Sequence, residues 1–272
     1  MSGNDVKRRT VSRSSPRRQI KPRWYYPVGV IVLAVAAWEI GVALADVPEY
    51  VMPRPSEVAV EFFDNVGYYG EHLWATSVAT VAGLALGVLV AVLLALAMSY
   101  IPVFEYSIYP IIVTSQAVPK VALAPLFIIW FGFGVSSKIL MAFLICFFPL
   151  VIDTLAGLKS VNRDYIRMVR SMGASEWDVA RRIKIPSALP HFFAGLKVAS
   201  AFAMVGAVVG EFTGASEGLG YVIVQSQSTL NVEGVFASVV LLSIVGIVLF
   251  YAVALLERLV IPWHASVRPS DG

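Results

Sequence analysis

Lys120 and Glu211 stand inside stretches of this 272-residue chain that are almost free of charge. Between Tyr106 and Ser137 the one charged residue is Lys120, and between His191 and Gly214 there are two, Lys197 and Glu211. A lone ammonium and a lone carboxylate in apolar surroundings have two uses: they neutralise each other, or they face a cavity through which a polar solute passes. Ser115 and Gln116 lie close before Lys120, and Gln116, one helical turn away, shares its face. Ser115, Gln116, Lys120 and Glu211 are therefore candidates for a substrate path, with a purely structural Lys120–Glu211 pair as the alternative.

Bond-making chemistry has no such support. No cluster of His, Cys or paired carboxylates occurs within the apolar stretches, so no catalytic or metal-ligating set is expected. The one cysteine, Cys146, sits in an apolar run and reads as packing. No Gly-x-x-x-x-Gly-Lys-Ser/Thr phosphate cradle appears, so ATP is not held by that device and no cofactor is assigned to this chain.

The elements that must position these residues follow from composition. Hydrophobic residues make up 58% of the chain, charged residues 14%, and the mean hydropathy is +0.75, values of an integral membrane protein rather than a soluble domain. Pro27–Ala45 is longer than the ~7–15 residues of a signal-peptide core and close to the ~20 that cross a bilayer, so it reads as a first span. His72–Phe104 and Gly234–Leu256 are uncharged runs of spanning length. With Tyr106–Ser137, Ile139–Leu158 (carrying Asp153) and His191–Gly214 the total is six helices. Glu39, alone in the first span, has no assigned partner, and Asp153 and Lys197 lie near enough to the boundary to reach water or each other.

Loop charges set the orientation, because short cytoplasmic loops collect Lys and Arg. Eight basic residues crowd the segment from Lys7 to Arg23, a tail (residues 1–24) better used for orientation than for nucleic acid. Residues 46–72 carry six acids against Arg54 alone, and 215–233 carry no basic residue, so both read as external. Residues 159–190 carry Lys159, Arg163, Arg167, Arg170, Arg181, Arg182 and Lys184 and read as internal. Both termini, including a short tail at 265–272, are expected in the cytoplasm.

Within the internal segment, Asn162 is a plausible helix N-cap, followed by Tyr165, Met168, Val169 and Met172 at helical spacing. Gly173 supplies a left-handed turn, Ser175 and Asp178 resemble a capping box, and Trp177, Ala180 and Ile183 form a second apolar stripe that Pro186 is expected to close. Periodicity alone allows an amphipathic helix pair resting on the bilayer.

The residue pattern narrows this. A glycine, nine residues, then "IKIP" and "ALP", resembles the EAA loop of the permease subunits of ABC importers. "MPRPSEV", "VPKVALAPLFIIWFGFG" and "GEF…GLGYVI" are similar to the nitrate, sulfonate, taurine, pyrimidine and riboflavin branch of these permeases, and together cover most of residues 50–225. The Glu-Ala-Ala positions themselves are Arg167, Met168 and Val169. The resemblance implies an all-α permease domain over 25–264 (core 70–262), with a coupling loop at 162–190 in which Gly173, Ala174, Ser175, Trp177, Asp178, Ile183 and Pro186 engage a separate ATPase. It also implies an extracytoplasmic solute-binding protein, a second permease subunit in a homodimer, and location in the inner membrane. "SQAVPKVALAPLF", in the third span, is more similar to the pyrimidine-precursor and riboflavin members than to the nitrate or sulfonate ones, so the expected solute is riboflavin or a pyrimidine vitamin precursor. A nitrate, sulfonate or taurine permease and an ATP-independent secondary transporter are the alternatives.

Overall fold

The computed structural model describes residues 25–263; the basic tail and the short C-terminal tail lie outside the described residues. Among those residues every regular element is a helix, and five helices are long and apolar enough to cross a membrane. They are α1 (Tyr25–Ala45), α3 (Val66–Tyr100), α6 (Val135–Lys159), α9 (Ile185–Phe212, continuous with the turns before it) and α11 (Val232–Val260). Shorter helices connect them: α2 (Pro55–Asp64), α4 (Pro102–Ser115), α5 (Ala124–Phe131), α7 (Arg163–Ser171), α8 (Glu176–Val179) and α10 (Leu219–Ser228).

The core is α3, α6 and α9, which approach closely because their facing residues are small, as helices must where lipid offers no hydrophobic drive to associate. A Cβ built on Gly87 would lie 2.7 Å from Cys146 Sγ, and one on Gly83 would meet Ala142, so residue numbers rise together along α3 and α6. These two helices run parallel. Gly195 meets Asp153 and Gly206 meets Ala142, so α9 runs antiparallel to α6.

That register decides the number of crossings. Two parallel helices in sequence require the chain between them to return across the membrane, so α4 and α5, which pass the length and hydropathy test only as a pair bent by 91°, together form one span. The total is six. The third span is nevertheless not the straight helix expected from its composition: α4 ends at Ser115, residues 116–119 are non-helical, and a 3-10 turn over Lys120–Leu123 precedes α5. Pro119 and Pro125 withhold backbone donors, and Pro125 sits in the first turn of α5, where a missing N–H costs nothing.

Glu39 acquires a role. Its carboxylate accepts hydrogen bonds from the backbone N–H (3.0 Å) and hydroxyl (2.8 Å) of Ser56, in the first turn of α2. The charge in the first span thus ties it to α2. Lys197 does not pair with Asp153; it forms an ion pair with Glu257 of α11.

Candidate functional site

Three constellations emerge, one in the broken span and one at each end of the bundle. Ser115, Gln116 and Lys120 gather at the α4–α5 corner. Ser115 Oγ donates to the Ile112 carbonyl at 2.7 Å, Gln116 is exposed, and the Lys120 ammonium lies 4.6 Å from the centre of the Phe148 ring. Phe148 is at the middle of α6, so Lys120 sits at mid-depth with an aromatic face, not a carboxylate, beside it.

Glu211 is elsewhere. It is 1% exposed, in the last turn of α9, and its carboxylate accepts from Thr76 Oγ1 (2.8 Å) and from the backbone N–H of Gly220 (2.8 Å). The alternative of a structural Lys120–Glu211 pair is therefore not formed, because Glu211 faces α3 and the start of α10. Around it, Leu219 N–H donates to Thr76 Oγ1 (2.8 Å), Gly218 N–H donates to His72 Nδ1 (3.0 Å), and Lys138 donates to the Glu217 carbonyl (2.5 Å). A carboxylate and two side-chain acceptors thus satisfy the orphan N–H groups that open α10, where a negative charge also meets the helix dipole. Gly218 has φ +114°, and any Cβ there would overlap the Glu211 carboxylate, so both its backbone and its space demand glycine.

Of this node, sequence reasoning found only Glu211. Thr76, His72 and Lys138 were missed. The available signal was local: His72, Thr76 and Thr80 recur every fourth residue on one face of an otherwise apolar helix, and all three are buried.

At the other end, α7 and α8 form the helix pair. Asn162 caps α7, its side chain accepting from Asp164 N–H at 2.8 Å. Gly173 turns the chain at φ +93°, a conformation that a side chain bearing Cβ rarely adopts. Ser175 and Asp178 form the reciprocal capping box of α8, and these same hydrogen bonds from Ser175 hold the Asp178 carboxyl below its usual range. Arg170 bridges to Glu176 at 2.5 Å across the turn.

No residue of α7 is buried, and Tyr165, Met168 and Met172 (78% exposed) with Trp177 (70%) present an apolar face to solvent. A groove of about 530 Å³ runs between the helices, lined by Met168, Met172, Gly173, Ala174, Asp178 and Ile183. The expected second stripe is corrected. Val179 and Ala180 turn inward, while Trp177 projects away from the protein.

Pro186 does not close the pair. The chain passes from α8 through a π-helical turn, Ala180–Lys184, straight into α9, with Pro186 in the first turn of α9. The wider π turn relieves the clash between the proline ring and the preceding turn, so the helix pair is joined stiffly to the fifth span.

The sequence profile of the family described as "Binding-protein-dependent transport system inner membrane component" matches residues 67–262. The chain belongs to that family. Among its relatives are the formylaminopyrimidine transport permease protein ThiX of Halalkalibacterium halodurans (37% identical, covering 88% of this chain and 95% of ThiX) and the riboflavin transport system permease protein RibX of Chloroflexus aurantiacus (36%; 94% and 98%). The taurine transport system permease protein TauC of Escherichia coli is 29% identical over 92% of this chain and 96% of TauC. The fold is similar to that of a chain in the MetNI methionine ABC transporter, with TM-score 0.56 and 20% identity over 71% of this chain and 94% of that one. This permease is thus an ABC transporter membrane subunit of the type I class, a multi-pass protein.

Proposed function

We propose that this permease is the membrane half of an uptake system in the inner membrane, with both termini cytoplasmic. A separate ATPase binds its α7–α8 pair and an extracytoplasmic protein delivers the solute to its outer face. The observation that supports this most is the exposed apolar face of that pair. It lies outside the long apolar helices, is locally ordered by two caps and a left-handed glycine, and is fused through the π turn to a core helix. A partner that rotates the pair would move α9 with it. ATP acts in that partner, and a second copy of this chain completes the membrane domain.

The path follows the α4–α5 corner. Non-helical backbone at membrane depth is tolerated where it lines a water-filled cavity or is buried in protein, and residues 116–118 are exposed. Ser115, Gln116 and Lys120 supply polar groups there. Glu211 is removed from the path and serves as a strut. The solute is riboflavin or a pyrimidine vitamin precursor, a reading supported by the greater identity to ThiX and RibX than to TauC.

Cysteines placed at Ser136 and Glu217 should react with a membrane-impermeant thiol reagent from outside intact cells, and one at Ser175 should not; labelling of the Ser175 site would reverse the orientation. Uptake by the reconstituted system, with binding protein loaded with riboflavin, a formylaminopyrimidine or taurine in turn, tests the solute. Transport of taurine alone would replace the vitamin reading with the sulfonate one.

A further inference from the structure

The inner ends of three core segments enclose a second polar feature, separate from the face of the helix pair. A pocket of about 460 Å³ lies where α3 turns into α4 and α6 meets α7, lined on one side by Lys159, Arg163, Arg167, Arg170 and Lys184. Glu105 is the one carboxylate among its lining residues, and it is neutralised by an ion pair with Lys159. Arg167 and Arg170 have partners, Asp164 (3.2 Å) and Glu176 (2.5 Å), but these are exposed pairs that exchange readily with water. Arg163 and Lys184 belong to no ion pair among the described residues; Lys184 stands 4.5 Å over the ring of Tyr100 instead. The rest of the lining is Pro102, Leu158, Val161 and Ile166 with Ser99, whose buried hydroxyl has no partner, and Tyr106 is exposed.

An excess of cations over a largely apolar remainder, at the boundary between spanning helices and a helix pair outside the long apolar helices, matches one ligand chemistry: a phosphodiester carried on acyl chains. Basic pockets between helices on the cytoplasmic side take anionic headgroups, and an exposed tyrosine suits the interfacial belt. We propose that this pocket binds the phosphate headgroup of an anionic phospholipid from the inner leaflet, which then bridges the ends of α4 and α6 to α7 and the π turn. This rests on the orientation given under Proposed function, which the thiol labelling tests separately. The consequence is that seating of the helix pair depends on membrane composition.

The test uses the whole transporter, with ATPase and second permease subunit, in nanodiscs of equimolar phosphatidylcholine and phosphatidylglycerol. Native mass spectra should show phosphatidylglycerol retained preferentially; equal retention of both lipids overturns the proposal without any mutant. In the double variant Arg163→Gln with Lys184→Gln the preference should vanish, since losing two interfacial cations corresponds to about a thirtyfold loss of affinity. Arg181→Gln, outside the pocket, should keep it. Unchanged preference in the double variant overturns the site. Inorganic phosphate in millimolar excess should not displace the lipid; if it does, the pocket is a free-anion site. If the preference appears only in permease stripped of its ATPase, the pocket is a contact for that subunit and the lipid reading fails.

Discussion

The two ends of the bundle solve opposite problems. At the α10 end, the outer one in the proposed orientation, the Glu211 carboxylate, Thr76 Oγ1, His72 Nδ1 and Lys138 all find partners inside the chain, at the opening residues of α10. At the α7–α8 end, the inner one in the proposed orientation, the backbone is equally well capped, yet Tyr165, Met168, Met172 and Trp177 face outward. Satisfaction within the chain marks a strut, whereas order without burial marks a surface prepared for something else. The contrast matters because the lone charge of Glu211 reads, from sequence, as a candidate for the substrate path.

The comparison breaks first at the outer node. Gly218→Val combines a forbidden backbone conformation with a Cβ placed on the Glu211 carboxylate, and should remove most assembled permease from the membrane. Glu211→Ala, which leaves the Gly220 N–H buried without its acceptor while the Thr76 hydroxyl keeps the His72 carbonyl (3.2 Å), should cost ~1–3 kcal/mol. Both are read as the amount of complex recovered by size-exclusion after extraction. Recovery of either variant at wild-type level with transport abolished would mean that the node serves the path rather than the fold.

Gly173→Val imposes a comparable backbone penalty at the inner end and should have a different outcome. The six-span core does not depend on this turn, so normal amounts of permease should be recovered. The helix beginning at Ser175 is displaced, and the ATPase should either fail to co-purify or hydrolyse ATP without stimulation by loaded binding protein. Wild-type values for both would mean that residues 163–190 do not couple ATP to transport. If instead the permease itself is lost, the separation between strut and docking surface fails.

Lys120→Met sharpens the middle case. With the Phe148 ring as its neighbour and no carboxylate to strand, removal of the charge should leave complex recovery unchanged and lower the uptake rate severalfold. Adding Glu211→Gln should not restore uptake, because the two groups do not meet. Rescue by the double change would re-establish the pair and remove Lys120 from the path.

What could be read in advance follows the range of each interaction. Asn162, Gly173, and Ser175 with Asp178 act on backbone within a few residues, so their types and spacing announce them. The six spans are similarly local, since composition over some twenty residues decides them. The bend at residues 116–119 was not legible: Pro110, Pro119 and Pro125 in one stretch are compatible with a kinked helix, and only the parallel packing of α3 and α6 fixes how the chain turns. Glu211 and Thr76 are 135 residues apart, and Pro186 ends a helix by every local rule. In the second case a π turn, supported by Val179 and Ala180 packing inward, overrides the rule.

The smallest effect expected lies in the capping box of α8. Ser175→Ala removes the hydroxyl that accepts from Asp178 N–H (3.2 Å) and donates to its carboxylate (2.5 Å), while the Asp178 carboxylate can still accept from the Ser175 backbone N–H (3.3 Å). Half of the box survives. Loss of an N-cap side chain costs ~0.5–2 kcal/mol, and α8 is only four residues long, held at its far end by the π turn, so the cost falls on how often the turn is correctly formed rather than on the fold. Permease recovery and the span count should be unchanged, and the ATPase should bind with affinity reduced by about fivefold, which corresponds to ~1 kcal/mol. Ser175→Asp should recover most of this, since a carboxylate accepts from the same N–H group and favours the start of a helix. Titration of ATPase onto permease in nanodiscs measures both. Equal affinity for wild type and Ser175→Ala would mean that the pair is shaped by its partner on contact; a loss that the aspartate restores would mean that the docking surface is built before the partner arrives.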